Sequence, residues 1–211
     1  MRITGGILSG RKIAVPDSGN KEIRPSMDRM RESVFASLGD ISGSSFLDIF
    51  SGSGIIAIEA ASRGALVIEA VEQDKLKRKV LLENVSVSPV RINCRFMPAE
   101  LYVKRAAKAA GAAKAAGAAK AAGDTDETSS TKSSFDIIFL DPPFPYQFKW
   151  ELVEKIAASK LAAAGTRILI HRPRSDYLKT MIENLERYDS REYGRSVVDF
   201  FRVTTAALFR N

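Results

Sequence analysis

The 211-residue sequence predicts an α/β fold: a mostly parallel sheet covered by helices on both faces. Three observations carry that expectation. From residue 46 onward, short apolar runs of strand length alternate with stretches whose apolar residues recur every three or four positions. The first run, Phe46–Phe50, passes directly into a glycine-rich turn, Ser51–Gly54, and then into a helical pattern. A later run, Phe135–Leu140, ends in Asp141-Pro142-Pro143-Phe144, where two prolines stop a strand abruptly. In sheets of this kind ligands bind outside the carboxyl ends of the strands.

Taken in order, residues 1–16 hold two short apolar-containing runs around Leu8-Ser9-Gly10-Arg11 and predict a small hairpin with basic edges. A helix follows Ser26, read as its N-cap, with Met27, Met30, Val34 and Leu38 forming one apolar stripe. It ends at Gly39-Asp40 and the Gly/Ser cluster at 42–45. After the first strand, Ile55, Ile58 and Ala61 share a helix face that stops at Gly64. Leu66–Val71 is the second strand, and Leu76, Val80 and Asn84 mark the face of the next helix. Val90–Phe96, Phe135–Leu140 and Thr166–Ile170 are the third, fourth and fifth strands. Phe148, Leu152 and Ile156 mark a helix between the last two, residues 175–186 read as another helix, and 187–209 as a terminal hairpin containing Gly194.

Residues 106–123 depart from this pattern. They are three copies of Ala-Ala-Lys-Ala-Ala-Gly, followed by a polar tract to Ser134. A glycine every six residues costs about 1 kcal/mol each time in a helix. The segment therefore reads as a partly helical surface insertion at about 104–134.

Composition narrows the function classes. No apolar stretch approaches the length of a membrane span, and the amino terminus lacks the long apolar region of a signal peptide. A lone cysteine, Cys94, excludes an internal disulfide and any multi-cysteine metal site. The expectation is a cytoplasmic protein with no metal and no membrane partner. With 32 basic and 25 acidic residues the net charge is +7, which favours an anionic partner, nucleic acid above all. Residues 1–31 carry seven basic side chains (Arg2, Arg11, Lys12, Lys21, Arg24, Arg29, Arg31) against three acidic ones.

Two motifs carry chemistry. In Asp48-Ile49-Phe50-Ser51-Gly52-Ser53-Gly54 the glycines let the backbone approach a ligand while helix amides point into the gap. Alone the motif is ambiguous, because Gly52, Gly54 and Ala57 also satisfy a dinucleotide-binding pattern. Glu72, 20 residues after Gly52, suits the ribose hydroxyls of either ligand. Asp48 breaks the tie: an acid before the loop suits a ligand with a cationic amino-acid end, such as S-adenosylmethionine, and would repel a pyrophosphate. The second motif is Asp141–Phe144. A carboxylate and a proline-fixed carbonyl can accept hydrogen bonds from a planar amine while the neighbouring ring stacks on the base that bears it.

These residues, with Arg24-Pro-Ser-Met-Asp-Arg-Met-Arg-Glu32, Glu59–Ala65, Val71-Glu-Gln-Asp74, Arg2-Ile-Thr-Gly-Gly6 and Gly10–Pro16, resemble the RsmD family of bacterial 16S rRNA guanine-N2 methyltransferases. The resemblance covers most of the chain except residues 104–134. It implies a class I S-adenosylmethionine-dependent methyltransferase fold, Rossmann-like, with seven strands and the last antiparallel. It also implies a basic amino-terminal extension, residues 1–23, and a methyltransferase domain, residues 24–211. The implied substrate is one guanine of 16S rRNA, within small ribosomal subunit particles, and the expected state is a monomer.

On this reading Asp48 and the backbone of Phe50, Ser51, Gly52, Ser53 and Gly54 hold the cofactor's amino-acid end, with Arg24 and Pro25 covering it. Glu72 and Gln73 take the ribose, and Met97 and Ala99 line the adenine. Asp141, Pro142, Pro143 and Phe144 grip the base and are the catalytic candidates. Two departures from the family pattern are visible: Pro98 stands where an acid is usual beside the adenine, and Ser26 where threonine is common. The rival readings are an adenine-N6 methyltransferase acting on DNA or RNA, a non-catalytic rRNA-binding assembly factor, and a nicotinamide-dependent oxidoreductase. His171 reads as a strand-end residue with no metal role, Trp150 and Tyr146 as helix packing, and Glu59 with Arg63 as a helical ion pair.

Overall fold

The strands at the middle of the sheet are buried throughout, while those at its edges carry more polar and exposed residues. The computed structural model describes residues 1–15, 25–116, 134–177 and 182–205. Strand β1 (Ser45–Ile49) and β4 (Ile137–Leu140) are buried at every position, as expected of strands covered on both faces. They are flanked by β2 (Val67–Glu72), β3 (Ile92–Phe96), β5 (Arg167–Pro173), β6 (Leu185–Tyr193) and β7 (Ser196–Val203). The sheet order is β3-β2-β1-β4-β5-β7-β6, parallel from β3 to β5, with β7 antiparallel to both its neighbours.

Five α-helices and one 3-10 turn, Lys75–Lys77, complete the described elements: α1 (Pro25–Leu38), α2 (Ile55–Ser62), α3 (Arg78–Val85), α4 (Ala99–Ala116) and α5 (Lys149–Ala157). One face of the sheet, with Phe46, Ile137, Phe139 and Leu169, packs on Met30, Val34, Phe35 and Leu38 of α1 and on α2. The other, with Leu47, Ile49, Ile138, Leu140 and Ile170, packs on Val103 of α4 and on Leu152, Val153 and Ile156 of α5. Each such side chain removed from water contributes about 1.5–3 kcal/mol, which makes the alternation of inward positions decisive for register.

Several elements differ from the sequence reading. Pro25 opens α1, so Ser26 lies within its first turn instead of capping it. Leu76 is almost fully exposed: Asp74 accepts a hydrogen bond from the Leu76 amide at 2.9 Å and starts a short 3-10 turn. The buried face of α3 is consequently Leu81 and Asn84. The helix expected over 175–186 does not form among the described residues. Asn184 instead takes a left-handed turn at φ +62°, closed by a bridge between Ile182 and Leu185, and both of those side chains are buried. Residues 178–181 lie outside the described residues. Helix α4 runs from Ala99 to Ala116, so it begins ahead of the alanine-lysine repeat and extends into it; the rest of the repeat and the tract to residue 133 lie outside the described residues.

The expected amino-terminal hairpin forms as a short one: the Ile3 amide bonds to the Arg11 carbonyl and the Ile13 amide to the Met1 carbonyl, both at 2.9 Å, around the antiparallel Arg2–Lys12 bridge, and the connecting loop lies on α2. Ile7 and Leu8 amides bond to Ser62 carbonyl and Oγ at 2.8 and 2.9 Å, and Ser62 Oγ donates to the Gly5 carbonyl at 2.6 Å. Gly6, at φ +76°, approaches so closely that a Cβ would stand 1.9 Å from the Ser62 carbonyl oxygen. Below the loop, fully buried Glu59 accepts from the Thr4 amide and hydroxyl at 2.6 and 2.7 Å and pairs with buried Arg31 and with Arg63, each at 3.4 Å. No helix among the described residues is long and apolar enough to cross a membrane.

Candidate active site

Parallel pairing brings three chain segments to one rim. Ile49 pairs with Val71 on one side and Leu140 on the other. Just beyond, the Ser51 amide bonds to the Val71 carbonyl at 3.0 Å and the Asp141 amide to the Ile49 carbonyl at 3.2 Å. The glycine loop after β1 is thus flanked by Glu72 at the end of β2 and by Asp141 after β4.

The loop is held from beneath. Phe50 takes a left-handed φ of +66°, a strain of order 1–3 kcal/mol for a residue other than glycine, and turns the chain out of the sheet. Its ring meets Tyr146 edge-on at 5.2 Å. Gly54, at φ +80°, has no room for a Cβ, which would fall 2.6 Å from Leu81 of α3. Asp48 is buried under the loop: Oδ2 accepts from the Ala57 amide of α2 at 3.2 Å, while Oδ1 is buried with no partner among the described residues. Burial is the main cause that raises its pKa to about 7, and the nearby negative charges of Asp141 and Glu72 add to it, against the lowering effect of Ser51 and Ala57.

Glu72 is also almost fully buried. It accepts from the Gly52 amide at 2.7 Å and the Asp74 amide at 2.8 Å, so it clasps the loop as well as bordering the rim. Ser51 and Ser53 are buried and Gln73 is exposed. Met97 is half-buried, and Ala99 is buried at the start of α4, in the core beneath. Arg24 lies outside the described residues, and of Pro25 only the backbone, at the start of α1, is described.

After β4, Pro142 is buried and Pro143 exposed. Phe144 keeps 47% of its surface open. Three tethers fix this segment. Tyr146 donates to Glu100 of α4, and burial together with that carboxylate pushes its hydroxyl pKa up. The buried Lys149 ammonium pairs with Asp176 and reaches the Phe144 carbonyl at 3.4 Å. His171 of β5 places Nδ1 2.8 Å from Asp141 Oδ1 and packs its ring edge-on to Phe144 at 5.8 Å.

His171 is the site residue that sequence reasoning set aside. The signal that finds it is register: Leu140 pairs with Ile170, so the next residues, Asp141 just past β4 and His171 still within β5, stand side by side on the same face. Burial, the largest influence, lowers the imidazole pKa, but the charge and hydrogen bond of Asp141 outweigh it and hold it above its ordinary value. Trp150, Tyr146 and Phe148 divide: Trp150 packs edge-on to Phe201 at 6.1 Å and donates to the Tyr177 carbonyl at 3.0 Å, Tyr146 packs against the same core, and Phe148 is exposed at the N-cap of α5.

The strand order, the glycine loop over a buried acid, a second acid closing β2 and the Asp-Pro-Pro-Phe rim beside them define a class I methyltransferase fold. The same architecture is found in the structure of a putative methyltransferase, yhhF, from Escherichia coli, with a TM-score of 0.74, 24% identity, and 97% and 98% of the two chains covered. A family model described as conserved hypothetical protein 95 matches residues 1–202, and the chain belongs to that family, the RsmD type whose motifs the sequence displays. Among curated relatives, a Ribosomal RNA small subunit methyltransferase D of Escherichia coli (strain K12) is 40% identical over 87 residues, 41% of this chain and 43% of that protein. A protein of the same name from Haemophilus influenzae is 31% identical over 147 residues, 69% of this chain and 65% of that protein. These matches span less than two thirds of either relative's own length.

Proposed function

We propose that this protein transfers a methyl group from S-adenosylmethionine to the exocyclic N2 amine of a guanine in 16S rRNA. The observation that carries the reading is the juxtaposition of Asp141 with the glycine loop: a hydrogen-bond acceptor for an amine stands beside a loop that covers a buried carboxylate oxygen with no partner among the described residues. The names of the curated relatives support the rRNA assignment, and the RsmD-type motifs support N2 of guanine.

The residues present fit the cofactor. Asp48 Oδ1, buried beneath the loop with no partner among the described residues, suits an ammonium group, and the Ser53 amide, which the loop's own hydrogen bonds leave over, suits the carboxylate beside it. A Cβ on Gly52 would meet no atom closer than 3.9 Å, so a ligand can lie against the backbone there. Glu72 accepts one backbone amide on each oxygen, with the Lys77 ammonium 3.9 Å from Oε2, and its remaining lone pairs suit a ribose diol. When bound, S-adenosylmethionine supplies an electrophilic methyl group on its sulfonium.

Asp141 accepts a hydrogen bond from the guanine amine, with the Pro142 carbonyl as second acceptor, and so turns the nitrogen lone pair toward the methyl group. Transfer of the methyl group to this nitrogen would leave the electron pair of the broken S–C bond on sulfur. The nitrogen becomes acidic, and Asp141 takes up the proton it sheds and passes it to water. Phe144 stacks on the extruded base. Catalysis here is mainly positioning and electrostatic complementarity. Exposed Arg11 and Lys12, on the loop fixed to α2, meet rRNA phosphates. In this reading residues 1–23 form a basic extension to a methyltransferase domain, residues 24–211, that acts as a monomer in the cytoplasm on small-subunit particles.

The test uses small-subunit particles from cells lacking the gene, labelled S-adenosylmethionine, and mass spectrometry of the nucleosides. N2-methylguanine should appear in 16S rRNA, and Asp141→Ala should lower kcat by on the order of a hundredfold or more with cofactor affinity within a few-fold. Appearance of N6-methyladenine instead would assign the clamp to the other amine, and full activity of Asp141→Ala would end the clamp mechanism.

A further inference from the structure

We propose that His171 is a positioning residue for the base clamp: it donates from Nδ1 to Asp141 Oδ1 and thereby presents Oδ2 to the amine of the bound base. The inference rests on the methyltransferase reading above and adds to it a residue on a strand that the reading does not use.

The argument begins with the shape of Asp141's surroundings. Its amide is fixed to β1 through the Ile49 carbonyl, but a carboxyl group still rotates freely about its terminal torsion unless something holds an oxygen. His171 is what holds it. The ring is 3% exposed, on a strand paired on both sides, with Ile170 opposite Leu140 of β4 and His171 opposite Val198 of β7. Its backbone and ring are therefore set by the sheet. The 2.8 Å contact takes Oδ1 and leaves Oδ2 without a partner among the described residues, while the Asp141 side chain keeps 31% of its surface open.

Among the described residues the imidazole makes this one hydrogen bond and no other. Nε2 is buried and has no partner among the described residues, so a histidine here is a polar group placed in an apolar setting for the sake of Nδ1. An apolar side chain of similar size would satisfy the packing and remove the unpaired atom. The persistence of a proton on Nδ1 follows from the charge of Asp141, which holds the ring above its ordinary pKa against the opposing effect of burial.

The same ring packs edge-on to Phe144 at 5.8 Å. One imidazole thus touches both halves of the clamp, the acceptor and the stacking ring. A base seated on Phe144 then meets a carboxylate whose orientation is already set, and the ordering cost is met during folding instead of at the transition state. A residue that orients a reacting group typically changes activity by about tenfold to a hundredfold on removal.

The experiment compares His171→Leu, which keeps the volume and removes the donor, with His171→Asn, whose amide nitrogen can replace Nδ1. Each is assayed with labelled S-adenosylmethionine and small-subunit particles from cells lacking the gene, beside Asp141→Ala. Binding of S-adenosylmethionine and the melting temperature are measured in parallel. The Leu variant should lose about tenfold to a hundredfold in kcat, with cofactor Kd, rRNA KM and Tm near those of the parent. The Asn variant should recover most of the lost kcat. A Leu variant with the parent's kcat would overturn the proposal. So would Leu and Asn variants equally impaired, or a loss that follows cofactor binding or Tm, because each would make the histidine a packing residue only. Failure of the underlying reading shows separately, as a parent protein that transfers no methyl group or an Asp141→Ala variant that keeps full activity.

Discussion

Asp48 shows how one buried residue of the candidate site weighs on folding stability. Its carboxyl has a pKa of about 7 in the folded chain against an ordinary value of 3.8, mainly because it is buried. A raised carboxyl pKa means that the folded state prefers the protonated form. The favourable contribution is fully present below the ordinary value and is lost as pH rises through about 7. At pH 8 the ionised group therefore burdens the fold, and a cationic ligand end would relieve it. Asp48→Asn keeps an oxygen for the Ala57 amide and removes the charge. It should be more stable than the parent at pH 8 by about 1–3 kcal/mol, with the advantage vanishing near pH 4, as thermal melts across pH would read. It should also bind S-adenosylmethionine at least about tenfold more weakly by calorimetry, since a charge-assisted hydrogen bond is lost. Of the acids in the site, Asp48, Glu72 and Asp141 were legible in the sequence from their offsets to the glycine loop and the prolines. His171 was not, because its relation to Asp141 exists only across two paired strands.

At the scale of elements, the amino-terminal loop and α2 act as one unit. Beyond its own short hairpin pairing, the loop is held by Ser62, the close approach of Gly6 and the buried Glu59 cluster. Buried Arg31 relies on that carboxylate as well as on Asp28, at 2.6 Å, and the Arg2 carbonyl, at 2.8 Å. Breaking such a buried pair from one side costs about 3–5 kcal/mol. Glu59→Gln should accordingly lower the melting temperature by roughly 10 °C in a chain of this size, and limited proteolysis should then cut first within residues 1–15. The sequence placed Glu59 and Arg63 as a helical pair, but spacing could not reveal that the same carboxylate anchors Thr4 and Arg31. Residues 175–186 misled in the opposite way. Their apolar spacing suits a helix, yet Ile182 and Leu185 are buried as the closure of a left-handed turn at Asn184. Leu76 likewise fitted a helical stripe that Asp74's capping bond displaced by part of a turn.

For the molecule as a whole, the net charge of +7 and exposed basic residues on more than one element, among them Arg11, Lys12, Lys75, Arg78, Lys79 and Arg91, favour a polyanion. Binding of small-subunit rRNA should weaken by roughly 10- to 100-fold between 50 and 200 mM salt through counterion release. The affinity for S-adenosylmethionine should change by less than about twofold, since its polar contacts lie in a largely buried loop. Filter binding for the RNA and calorimetry for the cofactor would read the two separately, and an RNA affinity indifferent to salt would count against a phosphate-led interface.

By itself the sequence determined the parallel α/β architecture, the position of the glycine loop and the Asp-Pro-Pro-Phe turn that ends β4, because each is written in local periodicity, in proline and glycine, and in short offsets along the chain. Tertiary structure alone decided strand order beyond the first motifs, the union of Asp141 with His171, the burial of Asp48 Oδ1 and the anchoring of the first fifteen residues on α2. The physical reason is common to all four. Hydrogen-bond partners and desolvation are set by neighbours far apart in sequence, here 30 residues for the Asp141–His171 pair and 55 for Thr4 and Glu59, and no local pattern records which distant group will complete a buried polar atom.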